Sequence, residues 1–127
     1  VPKAEDAASL STLDWVISQL ERERGLTPGG IPIIPLVESA RGVAAATAIA
    51  AASPRIARLS YGVADYSLDL GLAPGDDEAE LAWVRAQLVQ ASRTAGLAPP
   101  VDSVFVQVPD SAGFRASAER ARRMGLR

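Results

Sequence analysis

The sequence predicts an α/β fold of about four parallel βα units, forming part of a larger α/β barrel. Three observations carry this reading. Apolar runs of strand length alternate with helical patterns along the whole chain. The run Ile31 to Val37 is apolar throughout, as in a parallel strand covered on both faces. Four such units alone would leave two raw sheet edges, which a closed barrel removes.

The elements follow in order. Val1-Pro2-Lys3 is read as the tail of a first strand. Ala4 to Arg24 is predicted as a helix, because Leu10, Leu13, Ile17 and Leu20 recur at spacings of three and four and share a face. Glu21 to Arg24 reads as its solvated end, with Gly25 as C-cap and Thr27-Pro28-Gly29-Gly30 as a turn. Ile31 to Val37 is the second strand, although Pro32 and Pro35 each remove a ladder donor. Ser39 caps a helix of small residues from Ala40 to Ala52, and Pro54 marks its end. Ile56 to Tyr61 is the third strand, followed by a loop from Gly62 to Asp65.

After a turn at Ala73 to Asp76, the acids Asp76, Asp77, Glu78 and Glu80 read as the solvated first turn of a helix. Leu81, Val84, Leu88, Ala91 and Ala95 form its apolar stripe, and Gly96 ends it. Val101 to Val108 is predicted as the last strand, on the alternation of Val104, Val106 and Val108. A helix from about Gly113 to Met124 follows, with Phe114, Ala118 and Ala121 facing inward. Trp15 and Trp83 are expected to pack against neighbouring elements. Ile33, Leu59 and Val106 are expected on the barrel interior.

Composition narrows the chemistry. The 127 residues are 48% apolar and 22% charged, which suits one globular domain. A net charge of −2 gives no general attraction to nucleic acid or to an anionic membrane. With no cysteine and no histidine, disulfides, thiolate or imidazole metal sites and His-based triads are excluded. A bound metal must therefore have oxygen ligands, which favours Mg²⁺, Ca²⁺ or Mn²⁺. Alanine occurs 24 times and arginine outnumbers lysine 12 to 1, a compositional bias, since the arginines are scattered. No leader is recognised, and Gly42 to Ser53 is too short to span a bilayer. The expectation is a cytoplasmic protein.

In parallel α/β folds the chemistry sits at the carboxyl ends of the strands. Lys3, Glu38, Asp65 and Asp110 occupy such ends. Glu38 and Asp65 follow consecutive strands, 27 positions apart. Neighbouring strands lie about 4.8 Å apart, so two carboxylates there repel unless a positive charge sits between them. A hard divalent cation is the natural bridge, with open positions for water and substrate oxygens. The alternative is that either acid merely caps the next helix.

Several segments carry a family resemblance. Val1-Pro2-Lys3-Ala4-Glu5 resembles an "LPKxE" strand end. Leu36-Val37-Glu38-Ser39-Ala40-Arg41-Gly42 resembles "LIETAxG", and Leu59 to Gly71 resembles "LxFGxxDLxxDLG". Val101-Asp102-Ser103-Val104 resembles "IDxV", Asp110 to Phe114 resembles "DxEGL", and Met124 to Arg127 resembles the opening of "LGFxGK". In this order they resemble the HpcH/HpaI aldolase and citrate lyase β-subunit family, in its malyl/citramalyl-CoA lyase branch.

The resemblance implies a TIM (β/α)8 barrel, of which this chain holds the fourth to seventh units. It implies that Glu38 and Asp65 bind Mg²⁺, with Mn²⁺ as a substitute. The implied substrate is a 3-hydroxyacyl-CoA such as malyl-CoA, citramalyl-CoA or a citryl thioester, cleaved reversibly at a carbon–carbon bond to an acyl-CoA and a 2-oxo acid. The usual assembly is a homotrimer. The family's catalytic arginine and a further acid would precede Val1, so the catalytic residues are not assigned here and these residues alone are expected to be inactive and not a stable monomer. Thioester hydrolysis of the same substrates, an aldolase of free 2-oxo acids and a non-catalytic binding or assembly subunit are the alternatives.

Substrate-binding candidates are Lys3, for a carboxylate or CoA phosphate, and the N–H groups of Ala40 and Gly42 at a helix start. Gly62 is one through close backbone approach, and Asp110 through its place at the mouth. Capping competes at Asp110, and Asp69 reads as a loop or cap residue. Asp102 lies at the opposite, stability end.

Overall fold

Five stretches of backbone lie side by side in sequence order, all running in the same direction. The structure, a computed structural model, describes residues 1–127. Val1 to Ala4 runs beside Ile34 to Leu36: Leu36 N–H donates to Val1 O (2.8 Å) and Ala4 N–H to Leu36 O (3.0 Å). β1 (Leu36–Val37) pairs in parallel with β2 (Ser60–Tyr61), Leu36 opposite Ser60 and Val37 opposite Tyr61. Parallel bridges join Ile33 to Ile56 and Ser60 to Val101. Arg127 then pairs with Pro100 and Asp102 through two main-chain bonds. The fold is α/β with parallel pairing. Regular strands are short, and at β1 the cause is legible, since Pro32 and Pro35 have no N–H to donate.

The first helix starts three residues later than the predicted Ala4. α1 (Ala7–Glu23) begins at Asp6, whose carboxylate accepts Ser9 N–H at 2.7 Å. Its inward face differs at the end: Leu20 is exposed, and Glu21 is fully buried rather than solvated. The reason is Arg55, which donates to both Glu21 carboxylate oxygens at 2.7 Å each and also binds Asp14. Gly29 and Ile31 N–H groups complete the Glu21 shell. Together these donors hold the Glu21 carboxyl down at about 2, against the opposing effect of burial.

Ser39 caps α2 (Ala40–Ala44), its hydroxyl accepting Gly42 N–H at 3.1 Å. The single helix predicted to Ala52 is two, α2 and α3 (Ala46–Ala50), separated at Ala45 (φ −91, ψ 2). Ile49 N–H donates to Ala45 O, the first bond of α3. The predicted loop at Asp65 is the start of a helix, α4 (Val63–Leu70), opened by Tyr66 N–H donating to Gly62 O. A 3₁₀ turn (Ala79–Leu81) leads into α5 (Ala82–Thr94), so the acids at 76–78 precede the helix rather than open it. Glu78 is not solvated. It accepts from Arg85, Ser117 and Arg120, which hold its carboxyl below the usual range against burial.

The predicted strand Val101 to Val108 pairs only at Val101 and Asp102, and Val104, Val106 and Val108 are exposed. The chain leaves the sheet where Arg85 clamps the Asp102 carboxylate and Ser103 Oγ accepts Val63 N–H. α6 (Ser111–Met124) turns Ser117 and Ala121 inward; Phe114 and Ala118 are exposed, and Phe114 meets Phe105 edge to face. Trp15 and Trp83 are also exposed, at 63% and 59%.

Ile33 and Leu59 are buried and belong to the core with Val37, Ile49, Val84 and Leu88. Ile34, not Ile33, points away from that core and is half exposed. A one-residue difference in strand register exchanges the faces. Each fully buried aliphatic side chain contributes about 1.5–3 kcal/mol.

Candidate functional site

Lys3, Glu38 and Asp65 meet at the carboxyl ends of the first three parallel segments. Glu38 follows β1 directly, and Asp65 sits in the first turn of α4, just after β2. The local cause of their meeting is a bulge at Lys3. A regular parallel ladder would send Lys3 N–H to Leu36 O, but Ala4 N–H occupies that acceptor. Lys3 adopts a left-handed backbone (φ 45), and its freed N–H donates to Glu38 Oε1 at 2.8 Å. Its side chain runs toward Asp65, placing Nζ 3.9 Å from Oδ1.

Glu38 is buried, 5% exposed. Its Oε1 is taken by Lys3, while Oε2 accepts no hydrogen bond within the chain. Gly62 makes room for it: a Cβ at that position would fall 2.6 Å from Glu38 Oε2 and 2.8 Å from its Cβ. The Asp65 carboxylate, about half exposed, has only the long contact with Lys3. No third acidic side chain joins the pair.

This donor set fits a hard divalent cation: two carboxylates with uncommitted oxygens, one of them seated directly against Gly62, and no soft ligand. Mg²⁺ accepts one or two carboxylates and fills its octahedron with water and substrate oxygens.

The remaining candidates fall into two groups. Gly62 is at the site, as its sequence position suggested. Asp110 caps α6, its carboxylate accepting Gly113 N–H at 2.9 Å. It also lines a cavity of about 410 Å³ with Val63, Ser67, Glu78 and Phe105. Ala40 and Gly42 are not free anion donors: Ala40 N–H donates to Asp69 Oδ2 (2.8 Å) and Gly42 N–H to Ser39 Oγ. Asp69 thus caps α2 from α4, and the helix start is already neutralised. Gly42 has a packing role instead, since a Cβ there would meet Ala4 O at 2.5 Å.

Sequence reasoning missed the main-chain role of Lys3. A left-handed lysine has no composition signal; only its place at a strand end beside Pro2 was visible.

The family HpcH/HpaI aldolase/citrate lyase matches residues 1–127. The chain belongs to this family. It is 34% identical to an L-malyl-CoA/beta-methylmalyl-CoA lyase of Cereibacter sphaeroides (strain ATCC 17025 / ATH 2.4.3), an alignment covering 99% of this chain and 44% of that enzyme. It is 33% identical to a citrate lyase subunit beta of Leuconostoc mesenteroides subsp. cremoris, over 99% of this chain and 41% of that subunit. The chain therefore spans less than half the length of these relatives. Among solved structures it resembles the citrate lyase beta subunit from M. tuberculosis, complexed with oxaloacetate and magnesium. That match has a TM-score of 0.75 at 28% identity, over 99% of this chain and 51% of the other. No helix is long and apolar enough to cross a membrane.

Proposed function

We propose that this chain is the metal-binding part of a Mg²⁺-dependent carbon–carbon lyase that cleaves a 3-hydroxyacyl-CoA, of the malyl-CoA, citramalyl-CoA or citryl-thioester type. The observation that carries the reading is the pair Glu38 and Asp65, at adjacent strand ends and both in contact with Lys3. The named activities of the relatives and the magnesium and oxaloacetate in the M. tuberculosis structure support it.

Glu38 and Asp65 would hold the ion, Glu38 through Oε2 and Asp65 through either oxygen. When bound, Mg²⁺, or Mn²⁺ in its place, supplies Lewis-acid polarisation of a substrate oxygen. Gly62 keeps backbone and substrate close to Glu38. The ammonium of Lys3, largely exposed, is placed to meet a carboxylate or phosphate of the substrate.

The same reading has the chain form the fourth to seventh units of a (β/α)8 barrel in a cytoplasmic homotrimer. The exposure of Ile34, Val104 and Val106 supports further barrel segments packing on this chain.

The test incubates the purified protein, carrying the further barrel units that this reading adds to the chain, with L-malyl-CoA or citramalyl-CoA and Mg²⁺, with and without chelator. Chelator-sensitive release of an acyl-CoA together with a 2-oxo acid supports the lyase. Release of free CoA indicates a thioesterase, and no turnover by a protein that binds substrate and metal indicates a binding subunit.

A further inference from the structure

We propose that Lys3 is the positioning residue of this centre, an internal cation that a divalent ion must displace from Asp65. The proposal rests on the metal reading above and identifies what competes with the metal.

Lys3 is the single lysine among 127 residues. It is also one of two non-glycine residues with positive φ, a conformation that L side chains disfavour. That conformation has two separable results. The main-chain N–H leaves the ladder and fixes Glu38 Oε1, so Glu38 offers one free oxygen, Oε2. The side chain leaves the bulge toward Asp65, and its ammonium sits 3.9 Å from Oδ1.

The two contacts differ in strength. The N–H to carboxylate bond is short, charge-assisted and on a buried acceptor. The ammonium contact is long, between side chains 65% and 47% exposed, and such pairs are held weakly. Lys3 therefore keeps Glu38 in place whether or not a metal is present, while its ammonium offsets the charge of Asp65 only until a dication arrives. Once displaced, the ammonium stays tethered beside the centre and is free for an anionic group of the substrate.

Replacing the side chain separates these roles. Lys3→Met keeps the N–H and removes the competing charge. Loss of one positive charge a few ångströms from a dication strengthens its binding on the order of tenfold at low salt. The gain shrinks as salt screens an exposed site. Lys3→Arg keeps the charge and the competition.

The experiment titrates Mn²⁺ into wild type, Lys3→Met and Lys3→Arg by electron paramagnetic resonance, at low and high salt, with thermal melts as a control. The expected result is about tenfold tighter binding in Lys3→Met at low salt, a smaller gain at high salt, and wild-type affinity in Lys3→Arg. Tighter binding in Lys3→Met supports the proposal even if wild type binds too weakly to measure. Unchanged or weaker binding in Lys3→Met, with wild type binding Mn²⁺, overturns the role of Lys3 and leaves the metal reading intact. No binding by either protein overturns both. If the variants fold poorly, the ¹³C-dimethyl signal of reductively methylated Lys3 in wild type decides. A saturable shift on Mg²⁺ addition supports displacement, and an unmoved signal overturns it.

Discussion

Arg55 and Glu21 form a buried two-point pair, each nitrogen–oxygen bond 2.7 Å long, between the start of the β2 segment and the end of α1. Asp14 and Ser18 bind the same guanidinium. The cluster ties α1 to the sheet and shares no hydrogen bond with Lys3, Glu38 or Asp65. Removing Arg55 leaves Glu21 charged and dry, the costly way to break such a pair, and removing the Glu21 charge leaves the buried Arg55 with Asp14 as its one anionic partner. Arg55→Met or Glu21→Gln should therefore lower the melting temperature by about 10 °C or more. Replacing both, Arg55→Met with Glu21→Leu, should cost less than either single change. Melts followed by circular dichroism measure all three.

The same pair sets an acid limit. The Glu21 carboxyl is held at about 2, below its ordinary 4.5, chiefly by Arg55. A depressed folded value means that the stabilisation is fully present above the unfolded value and is lost as pH falls toward the folded one. Urea midpoints should thus decline between pH 4.5 and 2 with a slope that Glu21→Gln flattens. Asp14, lowered mainly by its hydrogen bonds to Arg55 and Ser53, adds to the same slope. Equal slopes in wild type and variant would contradict the assignment.

Gly62→Ala tests the close approach at the centre. The added methyl would fall 2.6 Å from Glu38 Oε2, so the carboxylate must move. Overpacking of this kind costs about 1–3 kcal/mol. Divalent-ion affinity should fall well beyond what that loss of stability implies, as read by calorimetric titration of the folded variant.

Asp110→Ala separates capping from substrate contact. Loss of the bond to Gly113 N–H should destabilise by about 1 kcal/mol. Metal affinity should not change. A large effect on substrate KM with unchanged stability would assign Asp110 to the substrate instead.

Helix positions and caps were largely legible because they depend on local chemistry: Ser39, Asp110, Gly25 and Gly96 each act where their residue type predicts. Strand order and the placement of Glu38 and Asp65 at neighbouring strand ends were legible from βα spacing. Three of the errors share a cause, which is long-range contact. Glu21 looked solvated because Arg55 lies 34 residues away, and Glu78 because Arg85, Ser117 and Arg120 come later in the chain. The alternating valines of 104–108 have the pattern of a strand, but main-chain pairing ends at Asp102. Ala40 and Gly42 looked like open donors because the cap from Asp69 crosses between helices.

The most direct measurement is calorimetric titration of Mg²⁺ and Mn²⁺ into wild type, Glu38→Gln and Asp65→Asn, with folding of each confirmed by its melt. The proposed metal pair predicts one ion per chain in wild type and a loss of affinity of at least about tenfold in each variant, since each removes one of two charged ligands. Binding of equal strength in all three folded proteins, or none in wild type and in the Lys3→Met variant alike, would contradict the assignment of Glu38 and Asp65 as the metal pair.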